Sequence, residues 1–149
     1  MDSNMRQSKD GEAMQGLTES AKEEEGGCSS SSQRPGIVER TVRYSLEVIQ
    51  LYRKLERESV GRILGKQLLR AATSIGANVH EAQGGQSRAD FICKISIAYK
   101  EARESVYWLR LIHDAQVGNT NEVERIQDET NQLVRILSSI LLTSKQSKN

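Results

Sequence analysis

From Ile37 onward, large apolar residues return every three or four positions, the spacing that gathers them on one face of a helix with about 3.6 residues per turn. Val38, Val42, Leu46, Ile49, Tyr52 and Leu55 predict a first helix over 37–58. Ser59 and Gly61 mark a break. Leu64, Leu68, Ala71, Ile75, Val79 and Ala82 then predict a second helix to about residue 83, closed by Gly84-Gly85, where glycine is expected to take the left-handed conformation that ends helices. Ser87 is a predicted N-cap with Asp90 near the positive helix end. It opens a third helix carrying Phe91, Ile95, Ala98, Ala102, Val106, Leu109 and Ile112, which stops before Gly118. Asn119 and Glu122 signal the next start, and Val123, Ile126, Leu133, Leu137 and Ile140 form the stripe of a fourth. Four such helices with three short connections predict an all-α fold, an antiparallel up-down-up-down four-helix bundle over 37–145.

The preceding segment has a different character. Residues 1–36 hold KEEEGG and CSSSSQRPG, with Met1, Met5, Met14 and Leu17 as their large apolar residues. So little apolar surface cannot offset the entropy of ordering, and a disordered polar, acidic tail is expected. Residues 1–35 hold four basic against seven acidic residues, a balance of −3, which leaves +4 in the remainder of a chain of net charge +1. A +4 domain tolerates RNA without demanding it. One proline in 149 residues leaves little to interrupt helices. No apolar run reaches the roughly 20 residues that cross a bilayer, and the N-terminus lacks the apolar core of a secretory signal. A cytoplasmic protein without membrane contact is expected, with Cys28 and Cys93 as separate reduced thiols.

Helical bundles can hold di-metal sites, which need Glu-x-x-His so that both ligands turn inward. Ala77 stands three residues before His80, and Arg110 three before His113, so neither fits. His80-Glu81 starts like a zinc-protease helix, but Gly84 occupies the position of the second histidine. Gly61-Arg62-Ile63-Leu64-Gly65-Lys66 is one residue too short between its glycines for a phosphate loop, and Gln67 replaces the magnesium-binding hydroxyl. Glu101 and Glu104 share a face without a second acid opposite them and are expected to be solvated. Cys93, beside the apolar stripe, is expected to pack. No catalytic, cofactor or metal site is expected, and no enzymatic activity.

Two features point to association. Ile97, Trp108 and Leu111 fall opposite the third helix's core stripe, so a lone bundle is expected to leave them in water and an oligomer to cover them. On the second helix Ala71, Ala72, Gly76 and Ala77 permit close approach, beside a polar ridge of Arg70, Ser74 and Glu81 with Asn78 nearer the core. Arg70 and Glu81 are about 16 Å apart along the helix, too far to pair directly; if partly buried each needs a partner elsewhere, and otherwise they form a wet ridge making loose helix contacts.

Arg70-Ala71, Ser74-Ile75, Asn78-Val79 and Glu81, with Ser87 before Phe91 and the later EARESVYWLRLI, carry a family resemblance. The stretch from about residue 37 to 142 resembles the four-helix-bundle proteins encoded in intervening sequences of bacterial large-subunit ribosomal RNA genes. That family commonly has Gly after the Glu, where this chain has Ala82. The resemblance implies a homopentamer of antiparallel bundles, no established enzymatic activity and an association with ribosomal RNA. A related branch, the accessory proteins of diversity-generating retroelements, comprises basic pentamers that engage reverse transcriptase and RNA; this domain is less basic.

Two functions follow as expectations. One is a non-enzymatic oligomer that binds structured RNA through Arg40, Arg43, Arg53, Lys54 and Arg57 of the first helix with Arg62 and Lys66 of the second. The other is an adaptor oligomer that binds a protein partner such as a reverse transcriptase.

Overall fold

A computed structural model describes residues 36–146, so the expected tail lies outside the described residues except for Gly36. Four α-helices follow one another: α1 Ile37–Leu55, α2 Ser59–Gln83, α3 Arg88–Asp114 and α4 Thr120–Gln146. Each packs against the next, and α4 closes back on α1 through a smaller contact. The architecture is the all-α four-helix bundle that the apolar spacing predicts.

The start signals work through the expected atoms. Ser87 is extended and its Oγ accepts the Asp90 N–H at 3.1 Å. Asn119 Oδ1 accepts the Glu122 N–H at 3.1 Å. Each bond satisfies a helix-end donor that has no intrahelical partner.

The stops differ from expectation. α1 ends at Leu55 rather than near residue 58, because Glu58 is extended at φ −110° and ψ 142°. Gly61, in the first turn of α2, lies directly beneath the Leu55 carbonyl, and a Cβ there would collide with that oxygen while standing 3.0 Å from Val117 Cγ1. Close approach explains this glycine better than a phosphate loop does. Gly84 ends α2 at φ −93°, outside the left-handed region, with its N–H on the Glu81 carbonyl at 3.1 Å. Positive φ appears instead in the α3–α4 turn, at Gln116 (55°) and Gly118 (79°).

The core joins Leu68, Ala72, Ile75 and Val79 of α2 to Ile95, Ala98, Ala102, Leu109 and Ile112 of α3 and to Val123, Ile126, Leu133 and Leu137 of α4. These stripes are the expected ones, with Leu64, Phe91 and Ile140 at the margin, except that Val106 of α3 is half-buried outside the core cluster. α1 is rotated from its expected orientation. Thr41, Tyr44, Val48, Leu51 and Leu55 are its buried residues, whereas Val42 and Leu46 are exposed. Two apolar stripes coexist on α1, and helical spacing does not choose between them. Tyr44 does so in the fold: its hydroxyl reaches Thr130 Oγ1 at 2.8 Å inside the core. Thr130 gives its own proton to the Ile126 carbonyl at 2.7 Å, so Tyr44 is the donor. Burial pushes the Tyr44 phenol up to about 12, with smaller lowering from its hydroxyl partners. The other buried hydroxyls bond back to their own helices, Thr41 to Val38 and Ser105 to Glu101.

Cys93 is exposed rather than packed. The stripe beside it faces α2 and α4, and the thiol lies on the outer side of α3.

Candidate functional site

The cations proposed for RNA divide into two groups. Arg40 holds Glu129 through two parallel bonds, Nε–Oε1 at 2.6 Å and Nη2–Oε2 at 2.9 Å, and also donates to Gln132. The Glu129 hydrogen bond raises the Arg40 pKa against an opposing effect of burial. Lys54 bridges both oxygens of Glu122, and Arg43 lies 3.4 Å from Glu39 one turn earlier. Arg40 and Lys54 are thus engaged across to α4, while the Arg43 contact is an exposed one within its own helix. Arg53, Arg57, Arg62 and Lys66 are exposed on either side of the α1–α2 connection and form no ion pair among the described residues. Glu56 and Glu58 lie between them in sequence.

The polar ridge of α2 finds its partners on α3. Arg70 binds Glu104 and approaches Glu101 Oε2 at 3.6 Å, and Glu81 takes Lys94 Nζ at 2.6 Å. Between these clamps, Asn78 Nδ2 donates to the Ser74 carbonyl at 2.9 Å and lies 3.2 Å from its Oγ. Trp108 Nε1 donates to Glu104 Oε1 at 3.0 Å, and that bond, with Arg70, holds the Glu104 carboxyl below its ordinary range. Glu104 is thus a poor proton carrier. Glu101 Oε2 is buried and accepts no hydrogen bond. The pair expected in solvent instead fastens two helices together.

Ile97, Trp108 and Leu111 are half-buried rather than left in water, and Trp108 packs against the core. Their face of α3 is the one turned toward α2, as the contacts of Glu101, Glu104 and Lys94 show. His113 sits between Asp114, 3.1 Å from Nδ1, and Glu124, 3.2 Å from Nε2, and both hydrogen bonds raise its pKa. Among the described residues no group of three or more His, Cys, Asp or Glu could hold a metal ion. No helix there is long and apolar enough to cross a membrane.

The chain matches the family of 23S rRNA-intervening sequence proteins over residues 35–139. It belongs to that family. A similar solved structure is that of a protein of unknown function from the S23 ribosomal protein family of Bacteroides thetaiotaomicron VPI-5482. The two are 37% identical, the match covers 71% of this chain and 98% of the other, and the TM-score is 0.67. No curated protein matches.

For this intervening-sequence family member, two surfaces escaped the sequence reading. Val42 and Leu46, 46% and 54% exposed, line a groove between α1 and α2 with Gly76, Ala77, His80 and Glu81, of about 460 Å³. Assigning both valine and leucine to the core concealed it. The second groove lies between α3 and α4 and contains Arg103, Tyr107 and Arg110. Their steps of four and three residues were the available signal.

Proposed function

We propose that this protein is a non-enzymatic homo-oligomer that associates with structured RNA. The observation that carries the reading is the cluster of Arg53, Arg57, Arg62 and Lys66, exposed around one connection and without ion pairs among the described residues. Unpaired cations can neutralise phosphates and release counterions without first breaking a bond inside the chain. Arg40 and Lys54 lack that freedom, whereas Arg43 meets Glu39 only through an exposed contact one turn away that is worth little. Repetition of the cluster in an oligomer raises avidity above that of one modestly charged domain. The family's description, which names 23S rRNA, agrees with this partner.

Self-association is supported by the α1/α2 groove, where Val42 and Leu46 flank the small residues Gly76 and Ala77. Gly76 gives its space to α1 of the same chain, where a Cβ would stand 3.3 Å from Ser45 Oγ, so the exposed Val42, Leu46 and Ala77 carry the argument, since covering exposed apolar surface drives association. The trio Ile97, Trp108 and Leu111 offers less, because one bundle already half-buries it.

The test is structured-RNA affinity of the full chain at low and physiological salt, with its mass measured by light scattering. Binding should weaken steeply with salt, and Arg53→Glu/Arg57→Glu/Arg62→Glu should weaken it more than tenfold while retaining helicity. Absence of binding at low salt by an intact oligomer refutes the RNA reading, and a monomer at micromolar concentration refutes self-association.

A further inference from the structure

On the flank opposite the α1/α2 groove, α3 and α4 enclose a groove of about 340 Å³ lined by Arg103, Val106, Tyr107, Arg110, Asn131 and Val134. Val106 and Val134 supply apolar surface, and both are half-buried. Tyr107 is 55% exposed and meets Trp108 edge to face, with ring centroids 5.0 Å apart and planes at 68°. That contact braces the phenol ring, and more than half of the residue remains open to solvent. Arg103 carries no ion pair among the described residues. Arg110 is paired only with Asp114, at 3.4 Å, through an exposed contact one turn away that is worth little.

We propose that this groove receives an unpaired nucleotide of RNA, its base on Tyr107 and its flanking phosphates on Arg103 and Arg110. The inference rests on the RNA reading above and adds to it a second contact of a different kind, because the α1–α2 cluster offers charge without an aromatic platform. The chemistry of the lining selects the ligand. An aromatic face between two guanidinium groups suits a base joined to phosphates, since every base presents a π-face and every linkage an anion. Asn131 adds an amide that can meet a base edge. The volume lies near the lower end of small-ligand pockets and fits one base rather than a docked helix.

Positive charge continues beyond the groove. Lys100 is exposed one turn before Arg103, so Lys100, Arg103, Tyr107 and Arg110 recur at steps of three or four along one face. Arg135, one turn past Asn131, has its Nε on the Asn131 carbonyl at 3.2 Å and extends the cationic side onto α4. The opposing carboxylates are Asp114, Glu124, which is held across the same seam by His113 at 3.2 Å, and, on the outer side of α4, Asp128. An acidic polypeptide would engage the same guanidinium groups but would leave the Tyr107 face without a matching group.

Trp108 is the chain's single tryptophan, which makes its emission a reporter beside Tyr107. The full-length protein is titrated with a short oligouridylate and with a hairpin RNA, using polyglutamate as the competing polyanion. Oligouridylate should change Trp108 emission. Tyr107→Ala should weaken its binding about tenfold and Tyr107→Phe should keep wild-type affinity, as stacking requires. Arg103→Gln/Arg110→Gln should flatten the salt dependence by a slope of about 1.4. Wild-type affinity in Tyr107→Ala, while Arg53→Glu/Arg57→Glu/Arg62→Glu loses hairpin binding, overturns the groove and leaves the RNA reading standing. No RNA binding by the wild type at low salt overturns both. Displacement by polyglutamate at matched charge that is equally sensitive to Tyr107→Ala assigns the groove to an acidic protein instead, and a change of oligomer mass in Tyr107→Ala assigns it to a contact between copies.

Discussion

The two flanks of α1 are built from opposite materials. Toward α4, Arg40–Glu129, Lys54–Glu122 and Glu47–Arg125 bridge the helices, with N–O distances of 2.6, 2.8 and 3.0 Å, and Tyr44 and Thr130 bond beneath them. Toward α2, no ion pair crosses among the described residues. The seam there has Ser45 Oγ, which donates to the Thr41 carbonyl of its own helix at 2.9 Å, lying 3.4 Å from the Ala72 carbonyl, with Val42 and Leu46 open beside Gly76 and Ala77. Charge on the α4 flank is satisfied inside the chain and would have to be released before it could serve a partner. Apolar surface on the α2 flank has no such internal use. α1 is therefore clamped by charge on its α4 side and keeps apolar surface exposed on its α2 side.

The largest effect expected from breaking this arrangement is loss of the anchor between the flanks. Leu51 is fully buried, so Leu51→Ala should lower stability in urea unfolding by about 2–5 kcal/mol. Leu46→Ala, on the exposed stripe, should stay within about 0.5 kcal/mol, and a loss as large as that of Leu51→Ala would restore the other stripe to the core.

Alkali should act next, through Tyr44. Its folded pKa of about 12 exceeds the ordinary value of 10.0, so the neutral phenol is the form the fold favours. That contribution is complete below pH 10 and is lost as pH rises toward 12, at about 1.4 kcal/mol per pH unit. Subtracting the pH profile of Tyr44→Phe from that of the wild type isolates it, and parallel profiles would remove Tyr44 from the cause.

Glu129→Gln should cost about 1 kcal/mol, since the Arg40 pair is bidentate but its side chains remain about a quarter exposed, at 27% and 25%. It should leave the oligomer mass unchanged. Leu46→Glu should instead reduce the mass measured by light scattering while helical content persists, because docking would desolvate the new charge. If the two variants exchange these outcomes, the assignment of the flanks is reversed. The smallest effect belongs to removal of residues 1–35, whose sequence holds few large apolar residues: thermal stability should stay almost unchanged, and a large fall in melting temperature would move the domain boundary.

Helix number, the starts of α3 and α4 and most of three of the four core stripes were legible because they depend on local spacing and on short-range bonds such as Ser87 to Asp90 and Asn119 to Glu122. That Arg70 and Glu81 lie too far apart to pair with each other was legible too, although their partners on α3 were not. The α1 orientation was illegible. Val42–Leu46–Ile49 and Tyr44–Val48–Leu51 both satisfy helical periodicity, and hydropathy favours the stripe that ended outside. Among the candidate cations, sequence supplied the charges but could not separate Arg40 and Lys54, neutralised from α4, from Arg53, Arg57 and Arg62. Tyr107 with its two arginines was visible as a spacing, yet the groove beside it needs Asn131 and Val134 from another helix.

Sequence by itself determined a four-helix bundle, because apolar recurrence and capping act within a few residues of the chain. Only the tertiary structure decided which face of α1 is inside, which carboxylates meet which cations, and which apolar surface stays open. Those outcomes depend on pairings across helices, where Tyr44 meets Thr130 and Arg40 meets Glu129, residues 86 and 89 positions apart in the chain.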